Sequence, residues 1–347
     1  MDTLGGAEFA PEITYLNTAS CGLLPRRSAA AVRALAELNG TGRLGSGSFE
    51  TVDAARASFA RLTGVPAERV AVGSAVAVHV GLVSASLPTG AEVLFPEGDF
   101  SSVINPFAVR GDLKLRYAPL EDLAEAVRPG TALVAFSAVQ SADGRTADLA
   151  AVRAAAAAHG ARTLVDTTQS AGWLAVDPGA YDYTVTGGFK FLVCPRGTSF
   201  LTVREEAQDS LVPLHAGWVS GGDIWASTYG PVERLADSAR RFDEPVSFLS
   251  YHGAAESLAL MEEIGTDAVH AHNTALAARL REGLTGLGHD PVPGDSPIVS
   301  VPRLTHRHPD LERAEVAVSV RAGYLRVAFH LYNSTSDVDR VLDVLAG

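Results

Sequence analysis

At 347 residues the chain is too long for one simple core and about right for two packed domains. Hydrophobic residues make up 47% and charged residues 20%, a globular balance that excludes a disordered tract. A net charge of −12 repels phosphate backbones, so nucleic acid is not an expected partner. No apolar run approaches the ~20 residues that cross a bilayer, so no membrane partner is expected either. The opening residues, MDTLGGAEFAPEITYLN, lack a basic stretch followed by an apolar core, and no signal peptide is expected. Cys21 and Cys194 stand in no metal-ligand spacing and imply no disulfide framework, which fits a reducing, cytoplasmic compartment. The bias toward Ala, Gly and Arg is that of a GC-rich bacterial genome.

Val32, Leu35 and Leu38 recur at helical spacing within 28–38. After a Gly/Ser-rich stretch, Val52, Ala55, Phe59 and Leu62 mark a second helix that stops at Gly64, ahead of Pro66. Short apolar runs then alternate with helical stretches. The runs are VAV (70–72), EVLF (92–95), LRYA (115–118), LVAFSAV (133–139), TLVD (163–166), YTVT (183–186) and SFLTV (199–203). Helices are predicted over 76–87 and 148–159, the second closed by Gly160 where a left-handed residue is wanted. Strands buried on both faces read as continuous apolar runs, and helical crossovers join parallel strands. An α/β domain is therefore expected over 15–248. From Tyr251 the texture changes. One long helical stretch, 253–287, precedes Pro-rich segments, two strand-like runs (298–301 and 324–331) and a last helix from Ser334, where Ser334 and Asp337 form a loose capping box. Residues 249–347 read as a second, smaller α+β domain, with segment 1–14 packing on it.

Several patterns carry less than they suggest. Gly40-Thr-Gly42-Arg-Leu-Gly45 matches G-x-G-x-x-G, but a helix precedes it where a dinucleotide fingerprint needs a strand. A loop between helices is the expected reading. There is no Walker-type phosphate loop and no G-x-S-x-G elbow. His270/His272 and His306/His308 are i, i+2 pairs that do not share a helix face, so solvated histidines are expected rather than a metal site.

The stretch 163–201 carries chemistry. Asp166 ends an apolar strand, Gln169 follows three residues later, and Lys190 lies in a Gly-flanked turn after the next strand. Ligands of open α/β sheets bind outside the carboxyl ends of the strands, so the three can reach one crevice. Pyridoxal 5′-phosphate (PLP) asks a protein for such a set: an amine for a Schiff base, an anion beside the pyridine nitrogen, and a phosphate cradle. Lys190 supplies the amine, provided its surroundings lower its pKa. Asp166 supplies the anion, and Gln169 a hydrogen bond to the ring's phenolate oxygen. Each residue alone would more often be a surface lysine or a helix cap; their joint order is the signal.

That order resembles the class V aminotransferase family, within the fold type I PLP-dependent enzymes, over nearly the whole chain. TYLNTASCGLLP (14–25) is similar to the family's substrate-side segment and suggests Asn17 as a substrate contact. GSAVAVHVGL (73–82) sits where the family binds phosphate on a helix N-terminus, which assigns Ser74, Ala75 and Val76 to the cofactor. PEGDFSSVINPF (96–107) resembles the segment that stacks a ring on the cofactor, here Phe100. AVQSADG (138–144) resembles a turn beside the cofactor, with Ser141 where Asn is frequent. VDTTQSAG (165–172) and GGFKFLVCPRG (187–197) resemble the Asp-x-x-Gln and lysine motifs. Arg326 matches the arginine that grips the substrate carboxylate, a task suited to a planar two-pronged donor. The chain departs from the family at Gly187, where a phosphate-binding Ser is frequent, and at Phe189, where His is common. The cradle is then left to Ser74, the helix amides and Thr186. Ser247 stands near the place where a neighbouring subunit contributes a Gly-Thr pair.

The resemblance implies a large domain with a mainly parallel seven-stranded sheet between helices, a smaller C-terminal domain, PLP as cofactor, and a homodimer with its active site near the subunit interface. Family desulfurases carry a nucleophilic Cys shortly before the carboxylate-binding Arg. Here Arg321-Ala-Gly-Tyr-Leu-Arg326 runs straight through, so a persulfide-forming desulfurase is not expected and Cys21 reads as a packed thiol. The expectation is chemistry at the α-carbon of an amino-acid-like substrate through an external aldimine, leaning to β-elimination of the C–S lyase kind, with transamination and epimerisation as alternatives. From another class, a non-catalytic PLP-fold binding protein remains open.

Overall fold

The seven short apolar runs of the first two-thirds of the chain pair into one sheet in the computed structural model, which describes residues 2–43 and 48–347. In chain order the first elements are β1 (Thr14–Tyr15), α1 (Arg26–Gly40), α2 (Ser48–Thr63), β2 (Val70–Gly73), α3 (Val76–Ser86), β3 (Glu92–Pro96) and α4 (Ser101–Ala108). Then come β4 (Lys114–Ala118), β5 (Thr131–Ser137), α5 (Leu149–His159), β6 (Arg162–Asp166), β7 (Tyr183–Gly187) and β8 (Ser199–Val203). The remainder is α6 (Phe248–Ile264), α7 (Thr266–Gly286), β9 (Ile298–Pro302), α8 (His308–Arg313), β10 (Val316–Ala317), β11 (Ser319–Arg321), β12 (Tyr324–Ala328) and α9 (Thr335–Ala346). The large sheet has the order β2-β8-β7-β6-β5-β3-β4, and β8 runs antiparallel to both of its neighbours.

Both faces of this sheet are buried, which explains the unbroken apolar runs. Side chains alternate between two cores. Val93, Phe95, Leu133, Ala135 and Leu164 pack on one face with α3 and α4, while Leu94, Val134, Phe136 and Val165 pack on the other with α5. Each fully buried Val, Leu or Phe among them contributes roughly 1.5–3 kcal/mol relative to exposure.

β9, β11 and β12 form a second, antiparallel sheet covered by α7 and α9. The N-terminal segment joins it. β1 pairs parallel with β10, and Asn17 bridges Ala328 of β12. Residues 18–22 are thereby led from this sheet to the edge of the large one. There Gly22 N–H donates to the Phe189 carbonyl at 2.8 Å. A Cβ on Gly22 would lie 2.2 Å from the Lys190 carbonyl oxygen, so only glycine fits.

The structure differs from the sequence expectation in places. The single helix expected over 253–287 is two, α6 and α7, broken at Gly265 with φ +85°. The run 324–331 is a strand only to Ala328, after which the Asn333 side chain caps a turn by accepting the His330 amide at 2.8 Å. α4 was not visible in the sequence, because Pro106 in its interior removes a backbone donor. His272 is buried and bonded to the Asn333 carbonyl, not solvated. Gly40 ends α1, whereas Gly45 of the glycine pattern lies outside the described residues.

Candidate active site

The site lies at the carboxyl ends of the parallel strands, where α/β sheets bind ligands. β7 ends at Gly187, and the turn beyond it carries Phe189 and Lys190. The turn is pinned by Gly188 N–H to the Thr198 carbonyl and Cys194 N–H to the Gly188 carbonyl, both 3.0 Å. Val193 within it has φ +49°, a strained conformation for a β-branched residue. Its carbonyl accepts Ser257 Oγ at 2.8 Å, which helps hold it there.

Lys190 opens on a cavity of about 280 Å³. Asp166, Gln169, Phe100, Ser141, Ser74, Ala75 and Val76 all line it, so eight of the eleven residues singled out from the sequence meet in one place. Lys190 Nζ stands 5.1 Å from the Phe100 ring centroid and 5.7 Å from that of Phe189. Burial pushes the amine down to about 8; Asp166 opposes that shift, and Arg326 and Arg196 add to it. A neutral amine is thus within reach near neutral pH.

Asp166 is buried at the end of β6, and its Oδ1 accepts the Thr168 amide at 2.8 Å. Burial raises the carboxyl's pKa, against the pull of Thr168 and Lys190. Gln169 donates one Nε2 hydrogen to the Ala19 carbonyl at 3.0 Å, and its buried Oε1 has no donor.

Three of the eleven lie outside the cavity wall. Thr186 is buried with its hydroxyl 2.6 Å from that of Thr167, so it is spent within the sheet. Asn17 is held in the bridge to β12, and its Oδ1 is buried and unpartnered. Arg326 stands behind Ser141. It donates to the Ser141 carbonyl, to Ser20 Oγ at 2.7 Å and to Ser319 Oγ at 3.1 Å. Among the described residues no carboxylate pairs with it. Burial, with Arg321 adding, pushes its pKa down to about 10. A buried guanidinium without a counter-ion costs free energy, and an incoming carboxylate would recover it. Ser247 caps α6 by accepting the Ser250 amide.

Sequence reasoning missed three neighbours. Thr168 Oγ1 accepts the Gly187 amide at 2.8 Å and so locks the end of β7 to the Asp166 turn. Asp99 accepts the Ser137 amide at 2.7 Å and the Phe100 amide at 2.6 Å, which fixes the backbone under the Phe100 ring. Arg196 lines the cavity with its guanidinium 4.4 Å from the Phe189 centroid. A charged residue inside an otherwise apolar turn was the signal available for Arg196.

The donor set fits PLP. A buried amine of lowered pKa faces a buried carboxylate, an aromatic ring flanks the amine, and the amides that open α3 end the cavity. This defines a PLP-dependent enzyme of the fold type I class. Comparison with known proteins agrees. The profile of the aminotransferase class-V family matches residues 15–341, and the chain belongs to that family. Its cofactor is pyridoxal 5′-phosphate. The chain is 25% identical to an uncharacterized aminotransferase of Bacillus subtilis, over 86% of this chain and 84% of that one. It is 27% identical to isopenicillin N epimerase of Streptomyces clavuligerus, over 96% and 94% of the two chains. The solved cystine C–S lyase in complex with cysteine persulfide superposes with a TM-score of 0.86 at 23% identity, over 96% of this chain and 97% of that one, which shows the shared fold.

Proposed function

We propose that the enzyme acts at the α-carbon of an amino acid, with Lys190 as the group that moves the α-proton and Arg326 as the group that holds the α-carboxylate. The observation that carries this reading is the pairing of two buried cations with different tasks. Lys190 has a lowered pKa in the cavity, and Arg326 lies behind Ser141 without a carboxylate partner. Bound PLP supplies the electron sink for the pair left when the α-proton departs. Asp166 would pair with the ring nitrogen of the bound cofactor, and the bond from the Thr168 amide orients its carboxylate. The Phe100 ring lines the cavity 5.1 Å from Lys190 Nζ, and the burial of Lys190 limits water around the amine.

Among the fates open to the substrate we favour β-elimination, with loss of a thiol from an S-substituted cysteine. Lys190 and Asp166 are the acid–base groups in the cavity wall among the described residues, and Asp166 is committed to Thr168. Epimerisation by two opposed bases therefore lacks its second base. β-Elimination needs one: Lys190 would accept the α-proton and return it to the departing sulfur, which leaves with the Cβ–S electron pair, and water would convert the released enamine to pyruvate and ammonia. Persulfide formation is disfavoured for a separate reason. β11 and β12 are joined by the tight turn Ala322-Gly323, which leaves no loop before Arg326 to carry a cysteine. Cys194 is buried, and its thiol pKa is raised by that burial.

The holoenzyme incubated with S-substituted cysteines should release pyruvate and thiol in equal amounts. Accumulation of the pyridoxamine form, reversed by a keto acid, would instead establish transamination and overturn the elimination reading. A Lys190→Ala variant that kept full turnover would overturn both.

A further inference from the structure

Arg196 is an exposed cation that lines the Lys190 cavity and, among the described residues, has no ion-pair partner there. Its guanidinium stacks on Phe189, and among the described residues no carboxylate or carbonyl accepts from it. All five N–H donors of the fork remain free.

Strand register sets where it stands. Gly73, the last residue of β2, pairs with Ser199, the first of β8. The chain therefore leaves β2 into Ser74–Ala77 beside the segment Arg196–Thr198 that enters β8, and both segments line the cavity. Ser74–Ala77 lead into α3, whose first amides have no carbonyl partners within the helix. Such an end carries about half a positive charge and suits an anion. Part of that capacity is already used, because the Ser74 amide donates to the Glu244 carboxylate.

Charge balance then asks for a cation. A phosphate monoester carries roughly −1.5 to −2 charges near pH 7. Seated at the start of α3 it would face the Glu244 carboxylate, and the helix end does not offset both. Lys190 is opposed by Asp166, and Arg326 is turned toward Ser141 and Ser20. Arg196 is the cation left at that edge of the cavity.

We propose that Arg196 is the guanidinium ligand of the cofactor's phosphate, held in place by Phe189 and closing a cup whose floor is the start of α3. The proposal rests on the reading of the cavity as a PLP site. A guanidinium fork grips a phosphate through two parallel bonds, which a lysine cannot reproduce.

The test separates the phosphate from the rest of the cofactor. Cofactor-free wild type, Arg196→Gln and Arg196→Lys are titrated with PLP and with pyridoxal, which lacks the phosphate, and binding is followed by absorbance. Arg196→Gln should weaken PLP on the order of 10-fold or more and leave pyridoxal unchanged, with Arg196→Lys in between. Inorganic phosphate should compete with PLP less well in Arg196→Gln than in wild type. Unchanged pyridoxal affinity also certifies that the variant is folded. Equal weakening of both ligands, or of neither, overturns the proposal. So does an unchanged PLP affinity with lost binding of dicarboxylic acids, which would give Arg196 to the substrate. Wild type that bound neither ligand would refute the PLP reading itself.

Discussion

Arg326 reaches from β12 to the carbonyl of Ser141, the residue that turns the chain beyond β5 at the cavity wall. One guanidinium thus ties the second sheet to the first and keeps a donor face beside the site. Its partners are a carbonyl and two hydroxyls, all neutral, and its burial pushes its pKa down to about 10.

Arg326→Lys should raise KM for the amino acid by roughly 10- to 100-fold while leaving the visible absorbance of bound cofactor in place, because a lysine keeps the charge and loses the fork. Steady-state kinetics beside a spectrum of the same sample measure both. An unchanged KM would remove Arg326 from carboxylate binding.

The lowered pKa of Lys190 has two consequences for pH. Above about 8 the amine is mostly neutral in the folded chain, so the rate at which PLP loads should rise with pH through about 8 rather than 10.5. Between about 8 and 10.5 the folded, cofactor-free chain binds fewer protons at Lys190 than the unfolded chain does. Its stability should therefore rise with pH across that window, and the penalty of burying the charged amine is fully present below it. Urea titrations at several pH values check the slope, which Lys190→Met should flatten. A loading rate still climbing only near 10.5 would show an unperturbed amine.

The large sheet was legible because both of its faces are buried, so each strand is a run such as 92–95 or 163–166 with turn residues at its ends. Asp166 and Lys190 were legible through their places at strand ends. Thr168 was not, since a threonine two residues after an aspartate is common, and its value lies in a bond to Gly187 from the next strand. Arg196 and Ser74 are far apart in sequence and become neighbours only through the antiparallel β2–β8 register, which no local pattern announces. The break at Gly265 was hidden for the opposite reason: apolar residues continue at helical spacing on both sides of it.

Thr168→Val tests the tie between the two catalytic strands. The substitution keeps the shape and removes the acceptor of the Gly187 amide and the side-chain support of Asp166. Stability should fall by about 1–3 kcal/mol for the unsatisfied buried donor. The Asp166 carboxyl should rise further, and kcat should drop roughly tenfold or more with a smaller change in KM. Chemical denaturation and a pH profile of the bound cofactor's absorbance read these effects. A variant with wild-type kcat would show that Thr168 only packs.

A last prediction concerns an ion pair remote from the reacting groups. Arg56 of α2 is buried and meets Asp243 through two bonds, 3.1 and 2.7 Å, while also donating to the Val70 carbonyl at 2.7 Å. Asp243 in turn accepts the Val72 amide at 2.9 Å. The pair therefore pins the turn 239–244 to edge strand β2, and the next residue, Glu244, reaches the Ser74 amide at the start of α3. Asp243→Ala leaves the buried Arg56 charge with only the exposed Asp53 carboxylate, at 3.5 Å, and breaking a buried pair costs about 3–5 kcal/mol. The double variant Arg56→Met, Asp243→Leu removes both charges and should be more stable than Asp243→Ala alone, although neither variant supplies an acceptor for the Val72 amide. In both variants the turn loses its anchor, so PLP affinity should fall even where the fold is kept. Urea unfolding of the three proteins, with PLP titration below the transition, decides it. A loss under 1 kcal/mol for Asp243→Ala would mean that the pair contributes little, and unchanged PLP affinity in both variants would uncouple the turn from the start of α3.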